Sequence, residues 1–473
     1  MYFQQFYFEG LGHASYLLGS EETGDALVFD PRRDVNDYLE QARRKGLRIR
    51  YALDSHGHND YLSGVTQLAA RTGAQALGAA TADLGYRHRP LRDGQQIEIG
   101  EIGIEVLHTP GHTPEHISLL VYDRDIGADE PALLLSGGAL LVGDLARPDL
   151  LGGHAEAEEA ARALCATVRD KILTLPDHVE VFPTHVAGSL CGGSIGSRLS
   201  TTVGYERRTN PRLAGTDDPE RFAERCLRTD TLPAVPPYWR RMRARNLAGV
   251  EPVTLVPEPP ALQMEQVMRV RDEGAVVLDV REPEAFGGGH VPGALNVGLG
   301  SSFATWAGTV LPEAARVVLV VDRPEDVGTV TWDLLRIGYD PPIGWLAGGM
   351  TAWRAGAGPL ERLPQISVGE LHDRVQAEEV NVLDVRQPAE WSAGHVPGAA
   401  FITGAELPAR LGRVPRGRPL AVTCSTGYRS SVAASLLAAH QDEPVLNVLG
   451  GMTAWQAAGH PVEVPADVPA GAR

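Results

Sequence analysis

Short apolar runs, punctuated by glycine and separated by polar loops, recur through the first 250 residues. The runs 14–18, 26–30, 48–53, 102–108, 117–122, 132–136 and 179–183 read as strands, and 35–45 reads as a helix. With helices between only some strands, this half predicts an α+β architecture, an αββα sandwich of two sheets with helices outside. The second half has a different rhythm. Apolar β-rich runs at 276–280, 317–321, 380–385 and 420–423 alternate with helical stretches such as 432–439, which predicts small α/β domains with parallel sheets covered on both faces. It is also a duplication. LDVREPEAFGGGHVPGA from Leu278 returns as LDVRQPAEWSAGHVPGA from Leu383, 105 residues later, and GGMTAW from Gly348 returns from Gly450, 102 residues later. Proline-rich stretches at 253–260 and 359–364 separate the parts, giving expected domains 1–257, 258–361 and 362–473.

Charge narrows the function class. Lys and Arg number 43 against 60 Asp and Glu, a formal net charge of −17 that repels phosphate backbones and anionic membranes. Small soluble substrates are expected, with no nucleic-acid or membrane partner. The basic run Arg240, Arg241, Arg243, Arg245 is accordingly read as a solvated helix face. The N-terminus has no basic segment followed by an apolar run, so the expected location is the cytoplasm. Cys165, Cys191, Cys226 and Cys424 lack the close spacing of a disulfide framework and are read as thiols.

The polar residues that follow strands carry the chemistry. Ser55-His56-Gly57-His58-Asn59-Asp60-Tyr61, Thr109-Pro110-Gly111-His112, Gly143-Asp144 and Pro183-Thr184-His185 sit at strand ends that a sandwich can bring to one point. Neutral imidazoles with a carboxylate suit a borderline divalent metal such as zinc or ferrous iron. The set HxHxD, GHT, GD and PTH, in that order, resembles the metallo-β-lactamase superfamily. TPGHTPEH, VGDLARPDL and PTHVAGSLCG resemble its persulfide dioxygenase branch. That resemblance implies one ferrous ion per chain on His56, His112 and Asp144, with zinc as an alternative occupant in recombinant protein. The superfamily pattern continues HxHxDH, but Tyr61 stands in the last position, which weakens a second metal site. His58, Asp60 and His185 are then expected behind the ligands, His58 remaining an alternative direct ligand. Tyr61 is expected to close the pocket and donate to a carboxylate such as Asp60. Arg147 is a candidate partner for a substrate carboxylate.

The repeated half resembles the rhodanese family through LDVR, GHVPGA, a cysteine loop and GGMTAW. In the second copy the loop is Cys424-Ser425-Thr426-Gly427-Tyr428-Arg429, leading into a helix. Backbone N–H groups and Arg429 there favour an anion, which lowers the thiol pKa and holds a transferred sulfur. Cys424 and Arg429 are the expected catalytic pair, with Ser425, Thr426, Gly427 and Tyr428 lining the substrate. In the first copy the cysteine position holds Asp322, so that copy is expected to be inactive, a spacer or docking surface. The fusion resembles bacterial dioxygenase–rhodanese proteins, implying oxidation of a thiol persulfide by dioxygen to sulfite and sulfur transfer at Cys424 to give thiosulfate. The alternatives are a zinc thioester hydrolase resembling glyoxalase II, and a sulfur carrier with a structural metal. The thiol and any homo-oligomeric state are left open.

Overall fold

A computed structural model describes residues 1–127, 129–228, 232–253, 255 and 258–465. The expected boundary at residue 257 and the end of the third domain, 466–473, lie outside the described residues. The chain forms two compact units, one of Met1–Leu232 with Trp239–Thr254, the other of Pro233–Tyr238 with Leu255–Arg473.

In the first unit, one sheet runs in chain order through β1 (Tyr2–Phe8), β2 (His13–Gly19), β3 (Asp25–Phe29), β4 (Arg48–Leu53), β5 (Gln75–Ala79) and β6 (Arg89–Leu91). Its β1 to β3 are antiparallel and β3 to β6 parallel. The second sheet holds β7 (Gln96–Ile99), β8 (Ile102–His108), β9 (Ile117–Asp123), β10 (Leu133–Gly137), β11 (Glu180–Pro183) and β12 (Thr201–Thr202). The two inner faces share one core, in which Tyr16, Leu27, Phe29 and Leu53 of the first sheet meet Ile104, Leu119, Leu135 and Phe182 of the second. On the outside, helices α1 (Asn36–Lys45) and α2 (Val65–Thr72) supply Tyr38, Ala42, Val65 and Leu68 to a cluster with Leu17, Val28 and Ala52. The helix α3 (His154–Thr167) sets Ala161, Leu164 and Cys165 against Leu120, Leu134 and Val181. The alternation of inward and outward side chains on these strands therefore yields the αββα sandwich.

The second unit contains two five-stranded, all-parallel sheets. The first is ordered β13 (Ala261–Leu262), β17 (Gly344–Leu346), β16 (Val317–Val320), β14 (Val276–Asp279), β15 (Leu295–Asn296). The other repeats that order as β18 (Gln365–Ile366), β22 (Val445–Val448), β21 (Leu420–Thr423), β19 (Asn381–Asp384), β20 (Ala400–Phe401). The central strands read VVLV and LAVT and are buried throughout, as strands covered on both faces must be. Among the described residues no helix is long and apolar enough to cross a membrane.

Candidate metal centre and cysteine loop

Strand ends place the histidines. His56 follows β4 of the first sheet, while His112 and His185 follow β8 and β11 of the second. All three are buried, and their ligating nitrogens lie within 4.8 Å of one another. Each ring is oriented from behind. The Ser55 hydroxyl donates to Asp30 (2.9 Å), so it accepts from His56 Nδ1 at 2.7 Å. His112 Nδ1 donates to the Arg147 carbonyl at 2.8 Å, and His185 Nδ1 faces the Asp60 carboxylate at 3.4 Å. With the Nδ1 positions taken, the Nε2 atoms converge: those of His56 and His185 are 3.4 Å apart, close enough to share one proton, and His112 Nε2 is buried without a hydrogen-bond partner. A shared proton or a metal cation suits nitrogens that face one another in a buried site, so these residues fit a divalent ion. Burial and the neighbouring rings hold His56 well below the ordinary imidazole value and His112 at about 3. Burial works against charge on His185 too, yet Cys191 and Asp60 beside it raise it well above that value.

Three expectations change here. Asp144 is fully buried but stands outside the cluster. Its Oδ2 accepts the N–H groups of Gly193 (2.8 Å) and Ser194 (2.6 Å), and its Oδ1 accepts from Leu145 and lies 3.2 Å from Arg212 Nε. The glycine-rich loop offers that carboxylate a complete set of donors away from the histidines. His185, expected behind the ligands, instead points Nε2 into the cluster. Arg147 is held in a bidentate pair with Asp149 (3.0 and 2.7 Å), which occupies the face expected to meet a substrate carboxylate.

His58 donates from Nε2 to Asp30 at 3.0 Å, with Asp54 3.8 Å away, and it offers a ligand nitrogen within 4.8 Å of those of Asp60 and His185, a second group that shares His185 with the first. Burial raises Asp54 to about 7. Tyr61 is fully buried and its hydroxyl donates to the Asp30 carbonyl at 3.3 Å rather than to Asp60. Asp30, which collects bonds from Ser55, His58 and Thr184 and has φ of 53°, escaped the sequence reading although it closes the 26–30 run.

The basic run also differs from its expectation. It lies on helix α4 (Trp239–Ala248), and Arg240 is exposed, but Arg243 pairs at 2.6 Å with Glu115, whose other oxygen accepts the Gly57 N–H. Asn246 is buried and ties the metal-side loop, donating to the carbonyls of His58 and Tyr61 and accepting from Ser63 N–H, at 2.8, 2.8 and 2.9 Å.

In the second unit Cys424 is fully buried at the end of β21. Its Sγ accepts the Gly427 N–H at 3.1 Å and lies 3.5 Å from Ser430 Oγ. The GGMTAW motif holds this loop from outside: Met452 and Thr453 N–H groups donate to the Cys424 and Ser425 carbonyls. A Cβ on Gly451 would lie 2.3 Å from the Cys424 oxygen, so only glycine permits that approach. Thr426 is exposed. Tyr428 opens helix α5 (Tyr428–Ala438) and donates to the Gly298 carbonyl of the first copy at 2.8 Å. Ser431 on the same helix donates to Asn296 of that copy at 2.7 Å. Arg429 is held by both oxygens of Glu390, at 2.7 Å each. Glu390 was missed from sequence, although the repeat marks it, since the first copy has Ala285 there.

The metallo-beta-lactamase superfamily model matches residues 9–185, and the rhodanese-like domain model matches 264–356 and 367–458. The mitochondrial persulfide dioxygenase of Bos taurus is 31% identical over 205 residues, spanning 42% of this chain and 70% of that protein, and the Homo sapiens protein matches to the same extent. A hydroxyacylglutathione hydrolase of Polaromonas sp. is 33% identical over 174 residues, 36% of this chain and 61% of its own length. A solved metallo-beta-lactamase from Staphylococcus aureus subsp. aureus COL is similar with a TM-score of 0.66 at 32% identity, covering 73% of this chain and 98% of that one. The chain belongs to the metallo-beta-lactamase superfamily, and its metal-centre domain, with persulfide dioxygenases among its relatives, is followed by two rhodanese-like domains.

Proposed function

We propose that the first unit is an iron-dependent persulfide dioxygenase and that Cys424 of the second is a sulfurtransferase. Together they would turn a low-molecular-weight thiol persulfide, dioxygen and water into thiol and sulfite, and then join a further sulfane sulfur to sulfite as thiosulfate. The observation that carries the first reading is the buried convergence of the His56, His112 and His185 Nε2 atoms, taken with the likeness to persulfide dioxygenases. A ferrous ion there would supply open coordination positions for dioxygen and a sulfur ligand. His56, His112 and His185 are the donors the geometry favours; Asp144 would join them only by giving up the Gly193 and Ser194 N–H groups.

The chain's own residues do the rest. Ser55, the Arg147 carbonyl and Asp60 fix ring orientation and tautomer. Burial keeps the reacting sulfur away from bulk water. The Gly427 N–H and the start of α5 stabilise a thiolate or persulfide on Cys424. The first rhodanese copy, with Asp322 in the cysteine position, has no sulfur nucleophile there.

The test is anaerobic metal analysis with oxygen uptake across a panel of thiol persulfides. About one iron per chain and persulfide-dependent uptake are expected. His185→Ala is expected to lose both, while Asp144→Asn keeps the Gly193 and Ser194 N–H groups on its amide oxygen, gives up the Leu145 N–H, and retains most of its iron. The reverse order would return Asp144 to the ligand set. A zinc thioester hydrolase is the second reading, favoured by the all-imidazole donor set and the hydroxyacylglutathione hydrolase relative. Zinc content with thioester hydrolysis and no oxygen uptake would establish it instead.

A further inference from the structure

The guanidinium at the Cys424 loop is already occupied. Arg429 and Glu390 form a bidentate pair, and Ser425 Oγ donates to the same Glu390 carboxylate, so loop, helix start and carboxylate are one hydrogen-bonded unit. The pair is reachable, with Glu390 34% and Arg429 21% exposed, whereas Cys424 is fully buried. The neighbouring cation, Arg386, is buried and chelated by Asp384 and the Gly394 carbonyl. Both guanidinium groups are thus paired with a resident carboxylate.

The duplication supplies an independent comparison. At the matching positions of the first copy, Cys424 is replaced by Asp322, Arg429 by Val327 and Glu390 by Ala285. The buried pair Asp384–Arg386, by contrast, is kept as Asp279–Arg281 with the same bonding. A carboxylate needed only for folding would be retained beside the pair that is; Glu390 is absent where the thiol and the guanidinium are absent.

We propose that Glu390 selects the sulfur donor and acceptor of the Cys424 site, as a resident carboxylate on Arg429 that competes more strongly with a dianion than with a singly charged alkyl persulfide. This rests on the sulfurtransferase reading. With thiosulfate as donor, the Cys424 thiolate attacks the outer sulfur, the S–S bond breaks, and its electron pair leaves with sulfite, giving the Cys424 persulfide anion. Thiosulfate formation is the reverse. In both directions a dianion has to approach Arg429, and Glu390 competes with it. Glu390 is a positioning residue here, since it acts through Arg429.

The experiment is steady-state sulfur transfer to cyanide by the full chain, with thiosulfate or the persulfide of 2-mercaptoethanol as donor. Glu390→Gln keeps the shape and a hydrogen bond to Ser425 while removing the charge. Its KM for thiosulfate is expected to fall about tenfold, with the KM for the singly charged persulfide moving less than about threefold. Glu390→Asp, which keeps the charge, is expected to hold the parent's preference. An unchanged ratio of the two KM values in Glu390→Gln, with kcat lowered equally for both donors, would assign Glu390 a structural role and overturn the proposal. Absence of transfer from either donor in the parent would remove the sulfurtransferase reading and this inference with it.

Discussion

At the scale of single residues, the two sites are maintained by groups that do no chemistry themselves. Ser55 turns one hydroxyl into a relay between Asp30 and His56, and Asp60 does the same for His185 directly. Glu390 offers a measurable case. Its burial disfavours charge, yet Arg429 and Ser425 hold its carboxyl at about 2, below its ordinary 4.5. A depressed carboxyl contributes stability that is fully present above 4.5 and is lost as pH falls through about 2. The stability difference between the parent and Glu390→Gln is therefore expected to stay constant from pH 7 to pH 5 and to shrink between pH 4.5 and 2, read from urea unfolding at each pH. A difference that grows on acidification would contradict the pairing. Residues such as Asp30 and Glu390 were hard to read from sequence because a lone carboxylate at a strand end or in a short helix has no periodicity. Their meaning lies in partners far along the chain.

At the scale of elements, strand positions followed from apolar alternation, and the runs ending at Leu53, His108 and Pro183 end there in the fold as well. The helix α4 was legible as a helix but not for its orientation. Trp239, Met242 and Asn246 follow the spacing of a buried stripe, and Asn246 hid it because an amide reads as surface. Its amide replaces missing backbone partners of the loop 58–63, the work of a strap. Asn246→Ala leaves the His58 and Tyr61 carbonyls and the Ser63 N–H buried without those bonds, at a cost of about 3 kcal/mol to the first unit. The expected signature is a lower unfolding midpoint with weaker metal retention. Unchanged retention would show that the loop keeps its shape without the strap. The short edge strands β13, β15, β18 and β20, two residues each, were not distinguished from loop because two residues carry no pattern.

At the scale of the whole molecule, the division into a sandwich and two parallel-sheet repeats was legible, since repetition and the change of rhythm survive any local error. The donor set was less so. Motif order named His56 and His112, but whether a carboxylate or an imidazole completes the cluster depends on which loop satisfies Asp144. The cluster also has a mechanical meaning. One histidine hangs from the first sheet and two from the second, with His56 and His185 129 residues apart. An ion held by all three closes that long loop as a cross-link would, an effect of about 5 kcal/mol in chain-entropy terms. Chelation is expected to lower the calorimetric unfolding temperature of the first unit and to leave the transition of the second where it was; coincident shifts, or none, would count against the clasp. Under metal starvation, then, the first unit is expected to open more often and to be the part of each newly made chain that proteases meet first. Metal supply would then set how much of the first unit stays folded without any change in synthesis.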